Sequence, residues 1–87
     1  ADDLRRIEGI GPKLATALTA AGITRYAQLA ESDPTALGST LREQGIRFAP
    51  NLDTWIAQAK LLADGDEEGF SKLAAELVAN RRARARR

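Results

Sequence analysis

Two glycines and a lysine within five residues are the part of this sequence best suited to chemistry. Ile7-Glu8-Gly9-Ile10-Gly11-Pro12-Lys13 sets one apolar residue between two glycines and follows it with a proline and a lysine. Glycine tolerates positive φ and carries no Cβ, so such a turn can be tight and closely approached. Ile10 can point back into a core and anchor it. Pro12 suits the first position of a helix, where its missing N–H is not needed. The turn therefore ends at a helix N-terminus with outward N–H groups, an anion site with Lys13 beside it as a mobile cation. In the competing reading Gly9 and Gly11 only let two helices pack closely, and Lys13 is solvated.

The other side chains exclude most chemistry. There is no histidine and no cysteine, which removes the usual general base, thiolate metal sites, disulfides and most nucleophilic triads. A two-metal nuclease needs several carboxylates converging on ions about 3.5–4 Å apart. Asp2, Asp3, Asp33, Asp66, Glu67 and Glu68 instead stand at expected helix starts, where capping and the helix dipole account for them. No catalytic residue, metal ligand, cofactor or small-molecule substrate is expected.

The net charge of +1 hides an asymmetry. Arg81, Arg82, Arg84, Arg86 and Arg87 crowd the last seven residues, whereas residues 1–80 carry eight basic and twelve acidic side chains, a net of −4. The arginine tail reads either as a polyanion clamp acting by counterion release or as a solubilising end. An acidic body is not what a strong nucleic-acid binder presents, so any such affinity has to come from a local patch and the tail. Nothing resembles a signal peptide, and no apolar run is long enough to span a membrane. The absence of cysteine suits a cytoplasmic protein.

These residues are positioned by short helices in a single small domain. Asp2 or Asp3 caps a first helix bearing Leu4 and Ile7, and Gly9 stops it. A second helix runs from Pro12 to about Ala21, with Leu14, Ala15 and Leu18 on one face and Gly22 as its C-terminal cap. Thr24 reads as the N-cap of a third, which carries Leu29 and Tyr26, a core-edge ring with its hydroxyl in water. Asp33-Pro34 opens a fourth, with Leu37 and Leu41, ending at Gly45. Gly38 within it costs about 1 kcal/mol against alanine, which points to a close helix crossing. Residues 47–51 form a connector with Phe48 as its core anchor. Leu52, Trp55, Ile56, Ala59 and Leu62 give a fifth helix with Trp55 inward, and Asp64-Gly65-Asp66 ends it and caps the next. Phe70, Leu73, Ala74, Leu77 and Val78 line the sixth, which the arginines extend. The reading is an all-α fold of five or six short helices. Residues 1–80 form one domain, with 1–45 as a hairpin motif and a degenerate second half, 46–80 as a helical hairpin, and 81–87 as tail.

The first stretch resembles the helix-hairpin-helix motif, apolar-x-Gly-apolar-Gly-x-Lys/Arg-x-Ala, at Ile7, Gly9, Ile10, Gly11, Lys13 and Ala15. The resemblance implies a SAM-like helical bundle and a hairpin that holds nucleic-acid phosphate without reading bases, through backbone N–H groups at Gly9, Ile10 and Gly11 with help from Lys13. Residues 3–45 are similar to the small flap-endonuclease-like (helix-three-turn-helix) modules attached to bacterial proteins, often as C-terminal appendages. The stretch from Arg47 to Asp66 is similar to the extension that often follows in them. Flap endonucleases keep catalysis in a separate α/β domain that this chain does not encode, so no enzyme is expected. Ala21-Gly22-Ile23 echoes Gln44-Gly45-Ile46. No second Gly-x-Gly turn stands at residues 30–34, so the second half completes the fold without gripping phosphate. The expected function is a non-catalytic, sequence-nonspecific nucleic-acid-binding module, with DNA, duplex or single-stranded, as partner and the five arginines adding long-range attraction. The alternative is a protein-interaction or assembly module using the same fold without DNA, which the acidic body favours.

Overall fold

The computed structural model describes residues 1–47, 49 and 51–85. The expected core residue Phe48 and the tail residues Arg86 and Arg87 lie outside the described residues. After a single 3-10 turn at Leu4–Arg6 come five α-helices: α1 (Pro12–Ala20), α2 (Tyr26–Ala30), α3 (Pro34–Glu43), α4 (Leu52–Ala63) and α5 (Glu67–Ala85). No strand occurs among the described residues, and the fold is all-α.

The caps explain most of these boundaries. Asp3 caps the 3-10 turn, its Oδ1 accepting from the Arg5 backbone N–H at 3.0 Å. Asp2 acts elsewhere, since its Oδ2 accepts from the Tyr26 N–H at 2.9 Å and its own N–H donates to Thr24 O. The first residues of the chain thereby cap α2, assisted by Gln28, whose Oε1 accepts from the Thr24 and Arg25 N–H groups. Thr24 is thus not the N-cap that its residue type suggests. The tertiary bond from Asp2 displaces it. Asp33 caps α3 through the Ala36 N–H, with Pro34 at the first helical position. Asp66 caps α5 through the Gly69 N–H.

Three helices end in the same way. Gly22, Gly45 and Gly65 all have positive φ. After each, the following residue donates back into the helix: Ile23 to Leu18 O, Ile46 to Leu41 O and Asp66 to Leu61 O, all at 2.9 Å. This satisfies carbonyls that would otherwise be orphaned at the C-terminus. It also turns Ile23 and Ile46 inward, so each cap doubles as a core contact.

Helix α4 is the centre of the packing, with α2, α3 and α5 all against it. Leu4, Ile7, Ile10, Leu18, Leu29, Leu37, Leu41, Trp55, Ile56, Leu62 and Phe70 are buried as their spacing predicts, joined by Ala17, Tyr26, Ile46 and Ala59. Leu14 and Ile23 are half-buried against this cluster. Leu73 and Leu77 reach only half-burial, because α4 covers one side of α5 and the other is open. Tyr26 differs from expectation: its hydroxyl is not in water but donates to Asp3 O at 2.7 Å, and burial pushes the phenol's pKa up. Gly38 differs too. A Cβ there would lie 3.5 Å from Leu52 Cδ1, an ordinary contact, so no close crossing requires glycine.

Helix α5 has 19 residues, about 28 Å at 1.5 Å per residue, and two side chains from the start of the chain fasten it. Arg6 pairs with Glu67 and stacks over the Phe70 ring, 5.2 Å from its centroid. Arg81, near the other end, pairs with Glu8.

Candidate functional site

The hairpin turn is built from two buried anchors and one glycine with positive φ. Ile7 and Ile10 both sit in the core, and the Ile10 N–H donates to Ile7 O at 3.0 Å, closing a four-residue turn. Gly9 is the third residue of that turn, with φ +104°. Gly11 has φ −90° and ψ −175°, extended backbone open to any residue. Of the two glycines only the first is demanded by conformation.

Gly9 is demanded by contact as well. A Cβ built on it would stand 2.6 Å from Trp55 Nε1. That indole is 1% exposed, and its N–H finds no hydrogen-bond partner among the described residues. One turn of α4 further on, Gln58 holds Glu8 from both sides. Its Oε1 accepts from the Glu8 N–H at 2.7 Å, and its Nε2 donates to Glu8 O at 3.0 Å. Gln58 is fully buried. The pair satisfies two backbone groups of the turn that burial would otherwise penalise, a net of about 1 kcal/mol per bond.

The outer side of the turn is open at one end and covered at the other. Gly11, Pro12 and Lys13 are exposed, and Gly11, as N-cap of α1, offers no side chain to the first-turn amides. Lys13 has no ion-pair partner among the described residues. At the opposite end α5 crosses the turn. Glu8, Gly9, Asn51, Thr54, Leu77, Arg81 and Arg84 enclose a cleft of about 80 Å³. Arg81 brings a guanidinium nitrogen to 2.5 Å from Glu8 Oε1. That oxygen makes no well-aligned hydrogen bond, so the attraction is mainly Coulombic.

The structure thus gathers only part of the set named from the sequence. Gly9, Gly11 and Lys13 surround the exposed turn, while the Ile10 side chain is 4% exposed and serves the core. Arg81 and Arg84 come back over Gly9, and Arg82 does not line that cleft. Glu8, Trp55 and Gln58 were not among the site residues, yet they shape the turn. Gln58 had one sequence signal: three residues after Trp55 and four before Leu62, it falls on the inner stripe of α4. Among the described residues no three carboxylates gather where a metal ion could be held, and no helix is long and apolar enough to cross a membrane.

Helix α1 presents a second kind of surface. Residues 14–24 carry no charge, the longest such run in the chain. The exposed Thr16 and Ala20 form a low ridge on α1. An open hollow of about 540 Å³ lies on one side of it, toward Asp2, Asp3 and Arg5, and another of about 370 Å³ on the other, toward Gln44 and Ile46.

Comparison with known proteins places these features in a family. Residues 4–63 match the RS2/RL21/YNQ2 HHH domain, which spans the hairpin through α4. A 22.9 kDa uncharacterised protein in the nqo2 3′ region of Paracoccus denitrificans is 47% identical over 74 residues, 83% of this chain and 34% of that protein. The large ribosomal subunit protein bL21 of Maricaulis maris is 44% identical over 66 residues, 72% of this chain and 29% of that protein. The bL21 of Roseobacter denitrificans is 40% identical over 68 residues, 75% of this chain and 30% of that protein. The chain spans about a third of the length of these curated relatives. No solved structure matches it.

These relatives overturn the expectation of a sequence-nonspecific module with DNA as its partner, because the bL21 proteins among them belong to one defined particle, the large ribosomal subunit. The geometry supplies physical reasons. Glu8 sets a carboxylate on the turn itself, and Arg81 is drawn to that carboxylate instead of standing free for a phosphate. The net −4 of residues 1–80 adds long-range repulsion toward any polyanion. With its hairpin, its helical order and its matched span in agreement, the chain belongs to the RS2/RL21/YNQ2 HHH domain family.

Proposed function

We propose that the chain is a non-catalytic protein-interaction module, one part of a longer protein, which docks that protein to a partner within an assembly. The observation that carries this reading is the outer face of α1 beyond Lys13, where residues 14–20 carry no charge, with its two flanking hollows. In a chain where 29% of residues are charged, an exposed helix face without charge is suited to burial against another protein, since interface cores are depleted in charge. Membership of the large ribosomal subunit among the relatives supports an assembly role. In this reading residues 1–80 work as one unit.

Co-sedimentation of the purified chain with isolated large ribosomal subunits tests the proposal, with a photo-crosslinking amino acid replacing Thr16 on the α1 ridge. The expected result is association with crosslinks to a protein of the subunit. Failure to co-sediment, or crosslinks to RNA alone, would overturn it.

A further inference from the structure

Resting on the interaction-module reading, we propose that the α3 side of α1 is the docking groove and that its occupant is an acidic peptide segment carrying apolar side chains. Two open hollows, about 370 and 470 Å³, adjoin at Lys13 and Ile46, which line both, and together follow the side of α1 that faces the turn ending α3. The groove's floor is apolar: Leu14 is half-buried, and Ala17 and Ile46 are buried. Its charged side chains are two exposed cations, Lys13 and Arg47, and no Asp or Glu lines it. Neither cation forms an ion pair among the described residues.

Charge decides the occupant. In residues 1–80 acids outnumber bases twelve to eight, so a groove holding two cations and no acid departs from the rest of the surface. Its two cations, with no acid among them, attract carboxylates. The hollow on the other side of α1 is lined by Asp2, Asp3 and Arg5 and offers no such preference. The floor narrows the choice further. Burying apolar surface contributes about 25 cal/mol per Å², a gain open to Leu or Ile side chains and not to a sugar-phosphate backbone. The groove is also prebuilt, because the Ile46 N–H bonded to Leu41 O fixes the floor residue by a local cap. Little ordering cost is left to binding.

The test is fluorescence anisotropy on the full chain with a labelled peptide of about twelve residues, in which glutamates flank two leucines. Parallel probes are the same peptide with lysine for glutamate, an all-glutamate peptide, and a single-stranded RNA of about twelve nucleotides. The expected order is acidic-apolar peptide tightest, with affinity falling as salt rises. Lys13→Glu combined with Arg47→Glu weakens binding by about tenfold or more, and the milder pair Lys13→Gln with Arg47→Gln weakens it by about threefold. Both sites are exposed, and thermal unfolding checks that each variant folds. Lys72→Gln, which removes an exposed cation of α5 that does not line the groove, leaves affinity within about twofold. Unchanged binding in both double variants, equal binding of the lysine peptide, or tighter binding of the RNA would each overturn the groove assignment. Co-sedimentation separates this proposal from the one beneath it. If the double reversal leaves co-sedimentation intact, the groove assignment falls and the module reading stands. If the unaltered chain does not co-sediment, the module reading itself falls.

Discussion

The turn at Gly9 and the turn at Gly45 use the same residue type for different reasons. Both have positive φ, +104° and +83°. At Gly45 the whole arrangement is local: Gln44, Gly45 and Ile46 donate to carbonyls of the helix just ended, and a Cβ on Gly45 would meet nothing within 4 Å. At Gly9 the arrangement is tertiary. The turn rests on Trp55 and is held by Gln58, across a separation of 50 residues in the case of the Glu8–Gln58 pair. A local turn is specified wherever its few residues occur, whereas a tertiary turn depends on a distant helix arriving in register. The first is worth a helix cap, and the second ties the hairpin to the core.

This contrast can be broken or sharpened by substitution. Gly9→Ala should be the most damaging, since it forces a disfavoured φ and sets a Cβ 2.6 Å from Nε1 of a buried indole. A loss of about 3 kcal/mol or more is expected in chemical denaturation. A loss under about 1 kcal/mol would show that the hairpin does not lean on Trp55. Next comes Gln58→Leu, which leaves the Glu8 N–H and C=O unpaired and should cost about 2 kcal/mol. Fast amide exchange at Glu8 would accompany it, while exchange at Ile46 stays slow. Gly45→Ala meets only the backbone penalty and should cost about 1 kcal/mol. Gly11→Ala, in ordinary extended backbone, loses only the N-cap preference for glycine over alanine and should cost about 0.5–1 kcal/mol. If Gly11→Ala proved as harmful as Gly9→Ala, the distinction between the two motif glycines would be wrong.

The smallest effect is on pH. Arg6 hydrogen-bonded to Glu67 holds that carboxyl below the usual glutamate range. A depressed folded-state pKa contributes stability that is present above the unfolded value and is lost as pH falls through the folded one. Thermal stability should therefore decline slightly as pH drops through and below that range, and Glu67→Gln should make the decline shallower. Asp3, whose carboxyl is held low first by the Arg5 backbone N–H and then by its guanidinium, contributes in the same direction. Both carboxylates are exposed, so salt should blunt the effect.

Much of the fold was legible because its signals are local. Pro12 and Pro34 open helices, Asp3, Asp33 and Asp66 cap, and Gly22, Gly45 and Gly65 terminate. The apolar stripes of α1, α3 and α4 placed Leu18, Leu41 and Trp55 inward as found. The site was less legible. Gly9 and Gly11 look equivalent in the motif and are not, because the backbone angle and the indole neighbour that set Gly9 apart appear only after folding. Tyr26 and Thr24 were misplaced for a related reason. The first residues of the chain return to cap α2, and no local pattern announces a bond between Asp2 and Tyr26. The DNA expectation failed differently: a Gly-x-Gly turn leading into a helix does not by itself reveal what its host assembles with.

By itself, then, the sequence determined the helices, every N-cap it named but that of α2, and most of their inner faces, since propensity, capping and 3.6-residue periodicity act over a few neighbouring residues. The tertiary structure alone decided what those faces hold. Gln58 in place around Glu8, Trp55 beneath Gly9, Arg6 on Glu67 and Arg81 on Glu8 join residues far apart in the chain. The groove between Lys13 and Arg47 belongs to the same class. Such contacts depend on how whole helices are set against α4, and packing, not local propensity, fixes that setting.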